Sequence, residues 1–336
     1  MEILDNYWYF GVDPPRSTLF EVALVLPSRI YRMLLNSTEL TSIPKDVQMQ
    51  YRTFGPTNRQ LSAIGMGVMP LSTDPDRPDE DEAIGVIHHA IDCGINLLDT
   101  ADSYCFDDTE TGHNERLIGK AMAKLSPTMR QEIVVATKGG WLRPQGRWEP
   151  CGTPRHLRRQ CEQSLVNLGV ERIDVYQYHT IDPNVPLLDS IGELKLLQDE
   201  GRIEHVGVSN FTVDQLDEAR SILEIVSVQN QYSLQVRRPE KDGTLSGSAE
   251  RGVSFIPWSP LGGREGAKSL DRDQPVVKSI ARRRGVSVQQ IILAWLLSKG
   301  PMVFPIPGSK RKQTIEDSAK AASLTLSSDE TAQIDG

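Results

Sequence analysis

From residue 51 onward, short apolar runs alternate with longer amphipathic segments, and this rhythm constrains the fold more than any other feature. The strand-like runs are Ile64–Val68, Ile95–Leu98, Ile133–Ala136, Ile173–Tyr178, Ile203–Val208, Ile225–Val228, Ser254–Pro257 and Val303–Ile306. Helical stretches separate them: Asp81–Cys93, Glu115–Lys124, Pro154–Leu168, Leu187–Glu200, Val213–Ile222, Val276–Arg284, Ser287–Leu297 and Lys312–Ala322. Strand followed by helix, repeated eight times, predicts an α/β protein with a closed parallel (β/α)8 TIM barrel. An open doubly wound sheet is the competitor. Its dinucleotide signature is absent, because Gly65-Met-Gly67-Val-Met-Pro70 ends in proline where a third glycine belongs. Tyr51–Phe54 and Gln60–Ala63, flanking Gly55-Pro-Thr-Asn, read as an N-terminal β-hairpin closing the bottom of the barrel.

Residues 1–48 break the rhythm. Leu19–Leu35 is apolar but interrupted by Glu21, Arg29 and Arg32, with Pro14, Pro15 and Pro27 against a long helix. We read 1–48 as an extension, poorly ordered or a mis-assigned start ahead of Met49, and 49–336 as the barrel. Gly262–Asp273, polar and glycine-rich after a strand end, reads as a flap-like loop.

A net charge of -8 excludes a general nucleic-acid binder, which needs a basic face. No uncharged apolar run of about 18 residues predicts a membrane span. The four cysteines, Cys93, Cys105, Cys151 and Cys161, form neither a C-x-x-C pair nor a zinc-spaced cluster with histidine, so no metal is expected. Unpaired thiols point to a reducing, cytoplasmic setting. Cys105 is a candidate reactive thiol or an inert neighbour of the site.

In a barrel the carboxyl ends of the strands build the active site. Five consecutive strands here end in side chains able to hydrogen-bond or titrate: Asp99 through Tyr104, Lys138, His179, Ser209-Asn210 and Gln229-Asn230. Lys138 at the end of an apolar strand needs a partner before it can be buried, and Asp99 supplies the charge. Reducing a carbonyl calls for hydride to carbon and a proton to oxygen. A tyrosine can give that proton, a neighbouring lysine lowers its pKa, a carboxylate holds the lysine, and a histidine orients the carbonyl. Tyr104, Lys138, Asp99 and His179 fit these four roles.

Asp-x-x-x-x-Tyr, then a strand ending in Lys and one ending in His, resembles the catalytic order of the aldo-keto reductases. The chain is similar to the branch containing potassium-channel β-subunit-like and aryl-alcohol dehydrogenase-like members. Gly112-His-Asn-Glu-Arg-Leu-Ile-Gly, Gly207-Val-Ser-Asn-Phe, Val228-Gln-Asn-Gln-Tyr and Ile256-Pro-Trp-Ser-Pro-Leu extend the likeness from about Tyr51 to the C-terminus. The resemblance implies an NADP(H)-dependent oxidoreductase that reduces an aldehyde or ketone, with Tyr104 as proton donor. It implies a cofactor site at Gly67, Val68, Met69, Asp99, Ser209, Asn210, Gln229, Trp258, Ser259, Pro260, Leu261 and Gly262, with Ser209, Asn210 and Gln229 near the nicotinamide amide and Trp258 stacked on the ring. It places the adenosine phosphate at Gly308, Ser309, Lys310 and Arg311, whose two cations favour NADPH over NADH. Asp317 and Ser318 stand where relatives carry Glu-Asn against the adenine. Substrate would meet the loops 70–79, 105–112, 141–152 and 262–273, with Phe106, Trp141 and Trp148 as an apolar wall. The alternative is a cofactor-binding regulatory subunit on the same fold, and oligomeric state stays open.

Overall fold

The computed structural model describes residues 48–336, so the reading of 1–48 as an extension lies outside the described residues. Seven parallel strands follow one another around a barrel in the order β3 (Met66–Gly67), β4 (Leu97–Asp99), β5 (Val134–Gly139), β8 (Ile173–Tyr178), β9 (Ile203–Ser209), β10 (Ile225–Gln231) and β11 (Ser254–Trp258). A small antiparallel hairpin, β6 (Trp141–Leu142) with β7 (Glu149–Pro150), is inserted after β5.

The eighth run, Val303–Ile306, closes the ring without forming a regular strand. Phe304 and Ile306 donate to the carbonyls of Phe255 and Pro257 on one side, at 2.9 and 3.4 Å, and Pro305 and Pro307 accept from Gly65 and Gly67 on the other, at 3.0 and 3.2 Å. Proline has no N–H, so on the β3 side this segment can accept but never donate, and half of a regular ladder is missing. Gly67 and Gly308 meet as a parallel bridge, where a side chain on either would run into backbone oxygen at 2.9 Å. The fold is a (β/α)8 barrel.

Its floor is a hairpin of β1 (Tyr51–Thr53) and β2 (Gln60–Ser62). Phe54 and Leu61 point from it into the barrel interior, among Leu97, Val134, Ala136, Val175, Val226, Ile256, Phe304 and Ile306. Phe54 meets Phe304 edge to face at 5.4 Å. The turn fits only because Gly55, at φ 52°, has no side chain; a Cβ there would lie 2.3 Å from the carbonyl oxygen of Val226.

Helices ring the outside; several bury one stripe, while Val288–Ser298 is buried on nearly every side. Glu80–Asp92 begins at Asp79, whose carboxylate accepts from Glu82 N at 2.9 Å, and buries Ala83, Ile84, Val86, Ile87, Ala90 and Ile91. Val213–Arg220 starts with a capping box between Thr212 and Gln215, and Val288–Ser298 with Ser287 accepting from Gln290 N. Gly262–Asp273 departs from the expected loop: Gly263–Asp273 is a helix, with Gly262 and Gly263 both at positive φ leading into it and Leu270 buried against the core. Its charge and glycine content mask a helix that has a single fully buried apolar anchor. None of the described helices is long and apolar enough to cross a membrane, and no cluster of three His, Cys, Asp or Glu among the described residues is placed to hold a metal ion.

Candidate active site

The side chains singled out by the strand ends converge. Leu97, Val134 with Ala136, and Val175 face the barrel interior, so the period of two carries Asp99, Lys138, Gln177 and His179 inward at the carboxyl end. Lys138 is fully buried and spends its ammonium on three oxygens: Asp99 Oδ1 at 2.6 Å, the Thr100 carbonyl at 2.8 Å and Tyr104 Oη at 3.0 Å. An ammonium has three protons, so this one is saturated. Burial opposes its charge, but Asp99 and Tyr104 outweigh that and hold its pKa above the ordinary lysine value.

Asp99 is fixed from its other oxygen. Gln229 Nε2 reaches Oδ2 at 2.7 Å and Gln177 Nε2 reaches it at 3.2 Å. Tyr104 shows 7% of its surface, and burial lifts its pKa above the usual phenol value although Lys138 pulls it down. The expected depression by lysine is therefore real in sign but outweighed by desolvation, and the phenol stays protonated. His179 stands edge to face with Tyr104 at 5.7 Å. Burial, then the charge of Lys138, push its pKa well below the ordinary histidine value, so the ring is neutral. Its Nδ1 is buried without a partner among the described residues.

Trp141 and Trp148, carried by the β6–β7 hairpin, face His179 at 6.3 and 6.4 Å and each other at 5.8 Å. Phe106 lies apart from them, under the Arg77 guanidinium at 4.1 Å. Cys105 is buried beside the tyrosine, its Sγ on the Ser103 carbonyl at 3.4 Å, and burial pushes its thiol up to about 11. Burial and a raised pKa of this kind favour an unreactive thiol at neutral pH.

The residues expected to meet a cofactor gather beside Asp99, Tyr104, Lys138 and His179. Ser209 Oγ bonds the Gln229 carbonyl at 2.8 Å; Asn210 Nδ2 bonds the His179 carbonyl at 3.0 Å; Trp258 Nε1 donates to Asn210 Oδ1 at 3.2 Å. Among the described residues only Gln145, Asn210 and Ser259 are non-glycine residues at positive φ, and two of these three flank the Trp258 ring. Such strain collects at functional sites. Pro260, Leu261 and Gly262 complete the turn after β11, closed by Gly262 N on the Ser259 carbonyl at 2.9 Å. Val68 N binds the Asp99 carbonyl at 2.9 Å, Met69 is 37% exposed, and Gly67 faces Gly308.

After the eighth segment, Arg311 is exposed and Ser309 Oγ accepts from its backbone N–H at 3.0 Å, leading into the helix Lys312–Lys320. Lys310 is tied to Asp76 at 2.6 Å and Asp74 at 3.2 Å. Arg264 joins the same acidic pair, at 3.0 Å from Asp76. Asp317 accepts from Ser287 Oγ and Gln290 Nε2, both at 2.6 Å, and Ser318 is 2% exposed. The Asp317 carboxylate thereby ties its helix to the start of Val288–Ser298, and Ser318 is buried beside it in sequence.

Gln177 was missed among the strand-end residues, although two steps back from His179 the alternation already marks it as inward. Gln229 was found, but its inward direction rests on an irregularity: Val226 faces the interior, Val228 faces the helices, and a register shift between Ile225 and Ser227 lets Gln229 turn in again.

A closed barrel with a Tyr-Lys-Asp-His cluster at the carboxyl ends of its strands defines an enzyme of the oxidoreductase class. The sequence matches the aldo/keto reductase family over residues 63–336, and the chain belongs to that family. It is 36% identical to an uncharacterized oxidoreductase of Schizosaccharomyces pombe, over 82% of this chain and 86% of that one. It is 32% identical to a probable aldo-keto reductase 1 of Glycine max, over 83% and 86%. Among solved structures, a thermostable aldo-keto reductase in complex with the inhibitor epalrestat superposes with a TM-score of 0.74 at 30% identity, covering 85% of this chain and 99% of that one.

Proposed function

We propose that the protein reduces an aldehyde or ketone to the alcohol with NADPH, Tyr104 giving the proton. The observation that carries this is the saturated ammonium of Lys138, bound at once to Asp99 and to Tyr104 Oη. A buried lysine so placed favours the tyrosinate left after proton transfer, and Asp99 keeps that lysine charged and still. The neutral His179 lies against the Tyr104 ring and can offer an N–H to the carbonyl oxygen without adding charge.

The strained pair Asn210 and Ser259 around Trp258, and the bare Gly67–Gly308 crossing, suit a flat ring and a close backbone approach. When bound there, the nicotinamide supplies the hydride. Ser209, Asn210 and Gln229 would hold its amide, Trp258 its face, and Gly67, Val68 and Met69 with Ser259 through Gly262 its ribose and diphosphate. Gly308, Ser309 and the first turn of Lys312–Lys320, with no side chain capping it, would take the 2′-phosphate beside Lys310 and Arg311. Trp141 and Trp148 form an apolar wall over His179 that fits a flat aromatic carbonyl. We place the protein in the cytoplasm, with 49–336 as the catalytic domain.

The test is NADPH oxidation followed by absorbance against aromatic and aliphatic aldehydes. Turnover with faster rates on aromatic aldehydes supports the reading. NADPH binding by fluorescence quenching with no turnover on any carbonyl would favour the regulatory subunit instead.

A further inference from the structure

Arg143 is 8% exposed, yet among the described residues its hydrogen-bond partners are all backbone carbonyls. Nη1 donates to the carbonyls of Ser103 at 3.1 Å and Cys105 at 2.7 Å, and Nη2 to Phe106 at 2.9 Å. Nε and Nη2 both donate to the Gly146 carbonyl, at 3.3 and 2.9 Å. A guanidinium has five N–H groups, so every one is taken by backbone and none remains for a ligand. Its flat face lies over the Trp148 ring at 3.9 Å.

The carbonyls belong to two segments. Ser103, Cys105 and Phe106 bracket Tyr104 within the long connection between β4 and the helix His113–Ala123, and Gly146 sits in the turn of the hairpin carrying Trp141 and Trp148. Lys138 fixes the phenol end of Tyr104; the backbone beneath it is fixed by Arg143. We propose that Arg143 is a positioning residue that locks the backbone of the proton donor to the aromatic wall, so that one side chain sets both turnover and the binding of aromatic carbonyls. This rests on the carbonyl-reductase reading above. Lysine cannot replace it, because three donors on a flexible stem reproduce neither the fork nor the stacked plane.

The test compares wild type, Arg143→Ala and Arg143→Lys with benzaldehyde and acetaldehyde, alongside NADPH affinity by fluorescence quenching and hydrogen exchange of residues 101–112. Displacement of a catalytic group by an ångström costs on the order of 100-fold in rate. Both variants should lose about that much kcat on both aldehydes. KM should rise for benzaldehyde more than for acetaldehyde, NADPH affinity should hold, and exchange of 101–112 should quicken. Added guanidinium ion should restore part of the lost kcat in Arg143→Ala but not in Arg143→Lys, whose side chain fills the space. Should Arg143→Ala fail to fold, Arg143→Lys carries the test by its kcat and exchange alone. An active wild type with near-normal kcat in the folded variants overturns the proposal alone. So does a kcat loss accompanied by equal loss of NADPH binding. A wild type that binds NADPH and reduces neither aldehyde overturns the carbonyl reading and this proposal with it.

Discussion

Gln229 and Lys138 grip Asp99 from opposite sides: the amide reaches Oδ2 at 2.7 Å and the ammonium reaches Oδ1 at 2.6 Å. The carboxylate is therefore a hub between the strand carrying Gln229 and the Lys138–Tyr104 side of the site, and its loss should be felt as stability as well as rate.

Asp99→Asn leaves a buried ammonium without its counter-charge, and breaking a buried pair in this way costs about 3–5 kcal/mol. Urea unfolding should show a loss of that size. A midpoint unchanged from wild type would mean that Thr100 and Tyr104 suffice to hold Lys138.

Phe54 closes the far end of the barrel, 1% exposed and packed on Phe304. Phe54→Ala should destabilise by about 3–5 kcal/mol, as large-to-small changes in cores do. Because the floor is remote from the tetrad, kcat of the folded fraction should stay within about twofold of wild type, consistent with additivity of distant sites.

Arg311 is exposed while Lys310 is engaged by Asp74 and Asp76, so Arg311 is the freer cation for a 2′-phosphate. Arg311→Ala should weaken NADPH binding about tenfold, the size of one lost charge-assisted bond. NADH binding should barely change, and equal weakening of both would remove the 2′-phosphate from the account.

His156 is buried with Arg159 donating toward its Nδ1 at 3.3 Å, and burial pushes its pKa down to about 4 from 6.5. Below pH 6.5 the unfolded chain takes up a proton that the folded one refuses until about pH 4. Stability is thus complete above that window and lost as pH falls through it, by up to about 3 kcal/mol. His156→Gln should flatten the drop in urea midpoint between pH 7.5 and 5, and an unchanged slope would assign the acid sensitivity elsewhere.

The barrel and the tetrad were legible because alternation within strands and polar strand ends are local signals. What escaped the sequence depends on three-dimensional exceptions. Pro305 and Pro307 let the eighth segment close the ring while breaking its ladder. The bulge near Ser227 decides that Gln229 faces Asp99. Arg143, between Leu142 and Pro144 in a polar turn, reads as a solvated charge until the carbonyls around it are seen. The two carboxyls Asp102 and Glu115, both buried with pKa values raised first by desolvation, gave no sequence signal of their burial either.

Tyr104 as the proton donor is tested by the rate of NADPH oxidation with an aromatic aldehyde in wild type and Tyr104→Phe. General acid catalysis contributes about 100- to 10,000-fold. The kcat should fall within that range with NADPH affinity preserved, since the phenyl ring keeps its place against His179. Equal kcat in the two proteins would contradict Tyr104 as the proton donor.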